Sequence, residues 1–405
     1  MGRNRAILIH SGYKGKVPAD YTRLPENWFT HYTSIFINSG LQPESFNEIK
    51  TFGILEKAYP LRDHLKKMDY LLSPSGLITI NYYTAGNLYI GGQFTRPLSF
   101  LMHEISLSYG KRYKLIKKKT EGAITELVYE KQTQPLHEND AMTKWSFGIV
   151  SDGRKDDRIK SIIEQIRSFR IPEYEVIICG PAPKFECGQD TKVLSDADLY
   201  FDIRIPITAK KNRIINNAAY NNLVLLHDRI SFPADWYEKM KKYGNYFEIL
   251  TNRILDEDTH TMRVQDWMAN QTDFNDYTDR HTGYLPYEQW NPSIYVDGGF
   301  IIAKRDLLKS VHGYNEALHW GEAEDVDLSN RLYYAGYMTN MYRDNMVFTQ
   351  THRHGGINEE KFFKKSSKVK QDLVEIKYQY QLKKQRDEFL RFVNDFSLDF
   401  QDGTK

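Results

Sequence analysis

Residues 145–180 read "WSFGIVSDGRKDDRIKSIIEQIRSFRIPEYEVIICG". The apolar run "WSFGIV" (145–150) has strand length, and "SDGRKD" after it has the polar, glycine-containing make-up of a turn. In "DRIKSIIEQIRSF" the isoleucines recur at helical spacing, and "YEVIICG" (174–180) is again a short apolar run, as a buried strand requires. The alternation continues through "ADLYFDIRI" (197–205), the helix-like "KKNRIINNAAY" (210–220) and "NLVLLHDRI" (222–230). Strand, helix and strand in this order predict an α/β domain with a mainly parallel, doubly wound sheet. Ligands of such sheets sit at the carboxyl ends of the strands, which here are "SDG" (151–153) and "HDR" (227–229).

A chain of 405 residues is long for a single core and suits two domains. Upstream, "RAILIH" (5–10), "GLITINYY" (76–83) and "ELVYEK" (126–131) read as strands, while "SFNEIKTFGILEKA" (45–58) and "LRDHLKKMDYLL" (61–72) carry helical spacing. The aperiodic, proline-containing "KQTQPLHENDAMTK" (131–144) separates the two blocks. The expected division is therefore 1–138, 139–356 and a helix-prone C-terminal extension, 357–405. That extension mixes charges with aromatics, which fits packing on the domain, pairing in a homo-oligomer, or peripheral membrane contact.

With 55 Lys and Arg against 53 Asp and Glu, the net charge is +2, and no global field argues for nucleic acid. The basic "KRYKLIKKK" (111–119) is the local exception and reads as a solvated strand edge or loop. The two cysteines, Cys179 and Cys187, allow no disulfide framework or zinc pattern, which favours a reducing compartment. "MGRNRAILIHSG" is too short in apolar residues for a signal peptide, and no run reaches membrane-spanning length. A cytoplasmic protein is expected, which would meet a lipid-linked substrate at the inner face of the membrane.

Three stretches carry chemistry. Asp228, at the end of "NLVLLHD", brings a carboxylate to the ligand edge, where a divalent ion bridging diphosphate oxygens prefers hard ligands; a turn or helix cap is the plainer role. Lys210, Lys211 and Arg213 lie near a helix start, where cations meet a diphosphate, or else form an exposed basic face. In "HWGEAEDVDLSNRL" (319–332) an indole and a glycine precede four acids. Leu328 and Leu332 predict a helix whose first turn holds the acids, where the dipole stabilises the ionised form. Trp320 offers a flat face for stacking a sugar ring, and the acids serve either as caps or as a general base with its neighbours. Gly298 and Gly299 before "FIIAKRDLL" allow close backbone approach.

Together these stretches resemble a GT-A glycosyltransferase of the family 2 type over roughly 145–355. "WSFGIVSDGRKDDRIKSIIEQI" resembles the opening strand and helix that hold the nucleotide base. "AKKNRIINNAAYNNLVLLHD" resembles the approach to the metal-binding DxD, and "GGFIIAKRDLLKSVHGYNEALHWGEAEDVDLSNRL" resembles the acceptor motif of inverting galactosyl- and N-acetylhexosaminyltransferases. The resemblance implies Asp325 as catalytic base with Glu324 beside it, and donor binding by Ser151, Asp152, Lys211, Asp228 and Arg229. It implies acceptor contacts from Trp320, Gly321, Asp327 and Gly299, and a Mn²⁺ or Mg²⁺ ion on Asp228 with His352 or His354 of "THRHGG" (351–356). The donor is then a nucleotide-diphospho sugar, UDP-linked, and the acceptor a glycan or lipid-linked saccharide. The sequence departs from the family in reading His227-Asp228-Arg229 where DxD offers two acids; Arg229 neutralising the diphosphate is the alternative to a metal, and an inactive scaffold the alternative to an enzyme.

"SFNEIKTFGILEKAYPLRDHLKKMDYLLSPSGLITI" also resembles the second half of a class I methyltransferase fold. Its partner segment offers only Gly12 and Gly15 in place of a tight GxGxG loop, with no acid placed for a ribose. The first block is expected to be a degenerate, non-catalytic methyltransferase-like domain that takes no S-adenosylmethionine; a bifunctional enzyme is the rival.

Overall fold

The computed structural model describes residues 5–9, 18–24, 41–56, 58, 60–83, 89–90, 93–94, 97–132, 141–200, 204–245, 247–258, 260, 266–270, 282–284, 287, 290 and 292–350. Two units emerge, residues 1–137 with 288–291 and 336–338, and residues 138–287 with 292–335 and 339–405. Both are mixed α/β.

In the first unit β1 (Arg5–Ile9), β2 (Thr22–Arg23), β3 (Phe46–Phe52) and β4 (Leu72–Tyr83) are parallel neighbours. After the short hairpin of β5 (Tyr89–Ile90) and β6 (Gln93–Phe94), β7 (Tyr113–Glu121) and β8 (Ile124–Lys131) return antiparallel, giving the order β2-β1-β3-β4-β8-β7. Strand β8 buries Thr125, Leu127 and Tyr129 at alternate positions, the period that a sheet imposes. Helices α1 (Leu61–Leu71) and α2 (Leu98–Tyr109) belong to this unit, and Arg62 of α1 forms a buried two-point ion pair with Glu104 of α2. The basic stretch expected at a strand edge is β7, the edge strand.

One expected helix is a strand. Phe46, Ile49 and Phe52 recur every three residues and imitate a helical stripe, yet 46–52 pairs between β1 and β4 as β3. Pairing on both edges, with β-branched Ile49 and Thr51 buried, outweighs the local spacing.

The second unit runs β9 (Lys144–Val150), α3 (Asp156–Ser168), β10 (Glu173–Cys179), β11 (Thr191–Leu194), α4 (Ile207–Asn217), β12 (Asn222–His227), β13 (Ile230–Ser231), α5 (Trp236–Tyr243) and β14 (Ile249–Asp256). A small sheet of β15 (Met268–Asn270), β16 (Thr282–Tyr284) and β17 (Ile294–Tyr295) follows, then β18 (Phe300–Lys304), α6 (Arg305–Ser310), α7 (Glu324–Tyr334) and β19 (Thr339–Thr349). The main sheet has the order β11-β10-β9-β12-β18-β14-β19-β13. Strands β9 to β12 are parallel as expected, but β18 runs antiparallel to both neighbours and β13 antiparallel to β19. Of the stretch 197–205 expected to continue the alternation, Ala197–Leu199 is a single 3₁₀ turn and 201–203 lie outside the described residues; a short strand precedes it at Thr191–Leu194. The acids at this turn are drawn to α4, Asp196 by Lys210 and Asp198 by Arg213.

Four isoleucines of α3 (159, 162, 163 and 166) are fully buried, and Trp145, Phe147, Phe169, Phe232 and Trp236 interlock with ring centroids 5.1–6.2 Å apart. Helix α4 presses onto β9 at Gly148, where a Cβ would lie 2.3 Å from the Ile214 side chain. That close approach fixes where the lysines of α4 meet the strand ends. No helix among the described residues is long and apolar enough to cross a membrane.

Candidate active site

The strand order reverses at β9, which has β10 on one side and β12 on the other. A crevice at such a point is where open α/β sheets take ligands. Ser151 and Asp228 are the first residues past β9 and β12, and they close on each other: the Ser151 hydroxyl donates to Asp228 Oδ2 at 3.1 Å. The Gly153 N–H donates to Ser151 Oγ at 3.0 Å. Lys155 Nζ stands 3.8 Å from Asp228 Oδ1. Burial raises the Asp228 carboxyl above its ordinary range, with Lys155 opposing and Asp152 reinforcing the shift. Asp152 itself is exposed and bonds to Arg154, whose hydrogen bonds override burial and hold the carboxylate down.

The adjacent lysines of α4 are neither free nor on an exposed face; each is 1% exposed. Lys210 donates to the Ser151 carbonyl (2.9 Å) and pairs with Asp196 (2.5 Å), so it braces the end of β9. Lys211 points elsewhere. Its ammonium pairs with Glu324 Oε1 at 3.1 Å and lies 4.5 Å from the centre of the Tyr314 ring. Lys211, expected at a donor diphosphate, is separated from Lys210 by about 100° of helix rotation per residue, which places it at the acids of α7. Arg213 is the half-exposed member and forms a two-point pair with Asp198.

Helix α4 also fastens the loop leading to α7. Asn212 exchanges hydrogen bonds with the Tyr314 backbone, both at 2.7 Å, and contacts Gly313, whose φ of +66° and missing side chain admit it. Thr208 donates to the Leu318 carbonyl (2.6 Å), and the Trp320 N–H to that of Ile205 (3.1 Å). Trp320 is half-buried and Gly321 exposed in the left-handed region, φ +85°. Ala323, the residue before α7, is also left-handed (φ +60°), which costs a non-glycine residue roughly 1 kcal/mol.

In the first turn of α7 the acids separate. Glu324 is 6% exposed against Lys211. Asp325 keeps an exposed edge, and its Oδ2 accepts the Gly298 N–H at 3.0 Å. Asp327 turns along the helix to Arg331 (2.8 and 3.0 Å), so its expected acceptor role has an intrahelical ion pair as competitor. Burial first, then Glu324 and Asp297, push the Asp325 carboxyl up to about 7, against Lys211 and the Gly298 N–H. The helix dipole alone predicted a stabilised anion; desolvation and two neighbouring acids outweigh it.

The two halves meet through the backbone. Leu226 of β12 lies opposite Phe300 of β18, and one residue further the His227 N–H donates to the Gly299 carbonyl (3.0 Å). The Asp228 end of β12 and the Gly298 that binds Asp325 are thus adjoining ends of one ladder. Arg229 Nη2 stands 3.9 Å from Asp297 Oδ1, and a Cβ on Gly299 would fall 2.7–2.8 Å from both groups. Sequence reasoning missed Asp297, Lys155 and Asn212; Asp297 carried a signal, as an acid directly before the glycine pair.

Among the described residues no group of three or more His, Cys, Asp or Glu assembles as metal ligands. Of the expected metal set, Asp228 is described, whereas His352 and His354 lie outside the described residues, as do Gly12, Gly15 and the extension 357–405.

No protein-family model and no curated protein matches the chain. Similar solved structures include S. aureus TarS 1–349, at 13% identity and a TM-score of 0.37 over 51% of this chain and 60% of that one. GalNAc-T7 with UDP, GalNAc and Mn²⁺ gives 12% and 0.39 over 52% and 44%. Drosophila β1,4-galactosyltransferase 7 with xylobiose gives 11% and 0.32 over 56% and 81%. The chain thus spans less than two thirds of the TarS 1–349 and GalNAc-T7 chains.

Proposed function

We propose that the second unit is an inverting GT-A glycosyltransferase that moves a hexose or N-acetylhexosamine from a UDP-linked sugar to a hydroxyl of a glycan or lipid-linked acceptor. The observation that carries the reading is the meeting of two half-sites at one sheet edge: Asp228 and Ser151 at the strand tips, and Asp325 on the backbone of Gly298 across the same ladder. In this reading Asp325 takes the proton of the acceptor hydroxyl. That oxygen attacks the anomeric carbon opposite the nucleotide, the bond to the diphosphate breaks, and the configuration inverts. A carboxyl near 7 suits the task, because a base works best when its proton affinity matches the working pH. Such assistance contributes about a hundredfold to ten-thousandfold, with holding both sugars in register supplying much of the rest.

On the donor side Ser151 and Asp152 meet the nucleotide, while Lys155 and Arg229 supply positive charge near the leaving group. Trp320 stacks on the acceptor sugar. Asp228 with His352 or His354 would hold a Mn²⁺ or Mg²⁺ ion, which when bound would neutralise charge on the leaving diphosphate. The first unit, mainly parallel and α/β, is read as a methyltransferase-like domain without catalytic duty.

The test is nucleotide release and product analysis across a panel of nucleotide-diphospho sugars, with nuclear magnetic resonance of the product's anomeric proton. Inversion, lost in Asp325→Asn while the variant still binds the nucleotide, is expected. Retention of configuration, or full turnover by Asp325→Asn, refutes it.

A further inference from the structure

Two consecutive acids, Glu324 and Asp325, approach the same glycine, and only one can serve as base. A Cβ on Gly298 would lie 2.7 Å from Glu324 Oε1, 3.1 Å from Lys211 Nζ and 3.4 Å from Asp325 Oδ2, so three charged groups converge where a side chain is absent. Lys211 reaches this point from α4 and is 1% exposed, which requires a counter-charge. Glu324 supplies it at 3.1 Å, and the Tyr314 ring covers the ammonium at 4.5 Å. We propose that Lys211 is a positioning residue for the general base: it clamps Glu324 against the Gly298 backbone and leaves Asp325 as the carboxylate open to an acceptor hydroxyl.

The inference rests on the transferase reading for its purpose, but its geometry does not. The clamp is anchored at both ends, since the same turns of α4 hold the Tyr314 backbone through Asn212 and Leu318 through Thr208. Around Asp325 stand Glu324 on its own helix, Asp297 and the Gly298 N–H from the turn before β18, and Lys211 from α4; Tyr314 and Arg229 face this set through Lys211 and Asp297. Lys211 is the cation acting directly on Asp325, and it offsets the two acids that oppose ionisation. Removing it leaves Glu324 without its partner and Asp325 beside that uncompensated carboxylate, while Asp297 still has Arg229 opposite it.

The test follows the Asp325 carboxyl carbon by nuclear magnetic resonance in the full chain labelled at aspartate, assigned by difference from Asp325→Asn. In Lys211→Met the titration of Asp325 should move up by about one pH unit or more, which makes the ionised fraction at pH 7 at least about fivefold smaller. Lys211→Arg should restore the wild-type curve. Should Lys211→Met fail to fold, Glu324→Gln gives the complementary reading: one opposing charge is gone, and the titration should move down. With a sugar-nucleotide substrate, kcat of Lys211→Met should fall about fivefold or more at pH 7 and recover at pH 9, with the donor KM within about twofold. An unmoved Asp325 titration in Lys211→Met, or in Glu324→Gln where the first variant does not fold, overturns the proposal. So does a kcat loss equal at every pH. If the titrations move as expected while no sugar nucleotide is turned over, the transferase reading fails and the clamp stands.

Discussion

Replacing Asp325 by asparagine should stabilise the protein, increasingly so as pH rises. The carboxyl stands near 7 in the folded chain against an ordinary 3.8. Between those values the folded state keeps a proton that the unfolded state has released, so stability falls with rising pH by about 1.4 kcal/mol per unit. The penalty is nearly absent below about pH 4 and grows through this window to a few kcal/mol at pH 8. Asparagine is nearly isosteric, can still accept the Gly298 N–H, and leaves Lys211 paired with Glu324. Its gain over aspartate should therefore be larger at pH 8 than at pH 5 by about 2–3 kcal/mol. Urea unfolding followed by tryptophan fluorescence at the two pH values measures this difference. An equal effect at both, or destabilisation at pH 8, would show that the surroundings do not oppose the anion. The same linkage predicts that wild-type kcat declines tenfold per pH unit on the acid side of about 7.

Gly298→Ala places a methyl group within 3.4 Å of Glu324, Lys211 and Asp325 at once; kcat should drop at least tenfold and stability by about 1–3 kcal/mol. Lys155→Ala removes the cation 3.8 Å from Asp228, and titration calorimetry with UDP should show affinity about tenfold weaker, as expected for a charge-assisted contact. Lys210→Met strands the 4% exposed Asp196 and should cost about 3–5 kcal/mol in denaturant unfolding, with much of it recovered in Lys210→Met/Asp196→Leu. Arg213→Ala removes an exposed pair with Asp198 and should leave kcat within about twofold, since such pairs contribute little.

What could be read from the sequence, and what could not, divides along a physical line. The β9–α3–β10 run and β12 are legible because each buries a whole strand or helix face, so hydrophobic period and environment agree. Residues 46–52 mislead because three-residue spacing is compatible with both a helix stripe and a strand carrying one buried β-branched position more; pairing with β1 and β4 decides it, and neither partner is local. The acids of α7 are legible as a first helical turn, but their charge state is not, since it depends on Asp297 and Lys211, distant in sequence.

The two lysines of α4 make the same point about function. As "KK" they read as one basic feature, and composition offers no reason to separate them. The helix separates them by geometry: Lys210 goes to the end of β9 and Lys211 to the start of α7. Asn212, next in line, ties down the loop between, so three consecutive residues join the strand-tip half of the site to the α7 half. Rigid placement of both halves from a single helix is what a direct displacement requires, because attacking oxygen and leaving group must lie on one line through one carbon. A substitution at any of these three positions should then disturb the other half of the site as well as its own. The joint effect of pairing Lys210→Met with Lys211→Met would fall short of the sum of the single effects on kcat, as expected for residues that act as a unit.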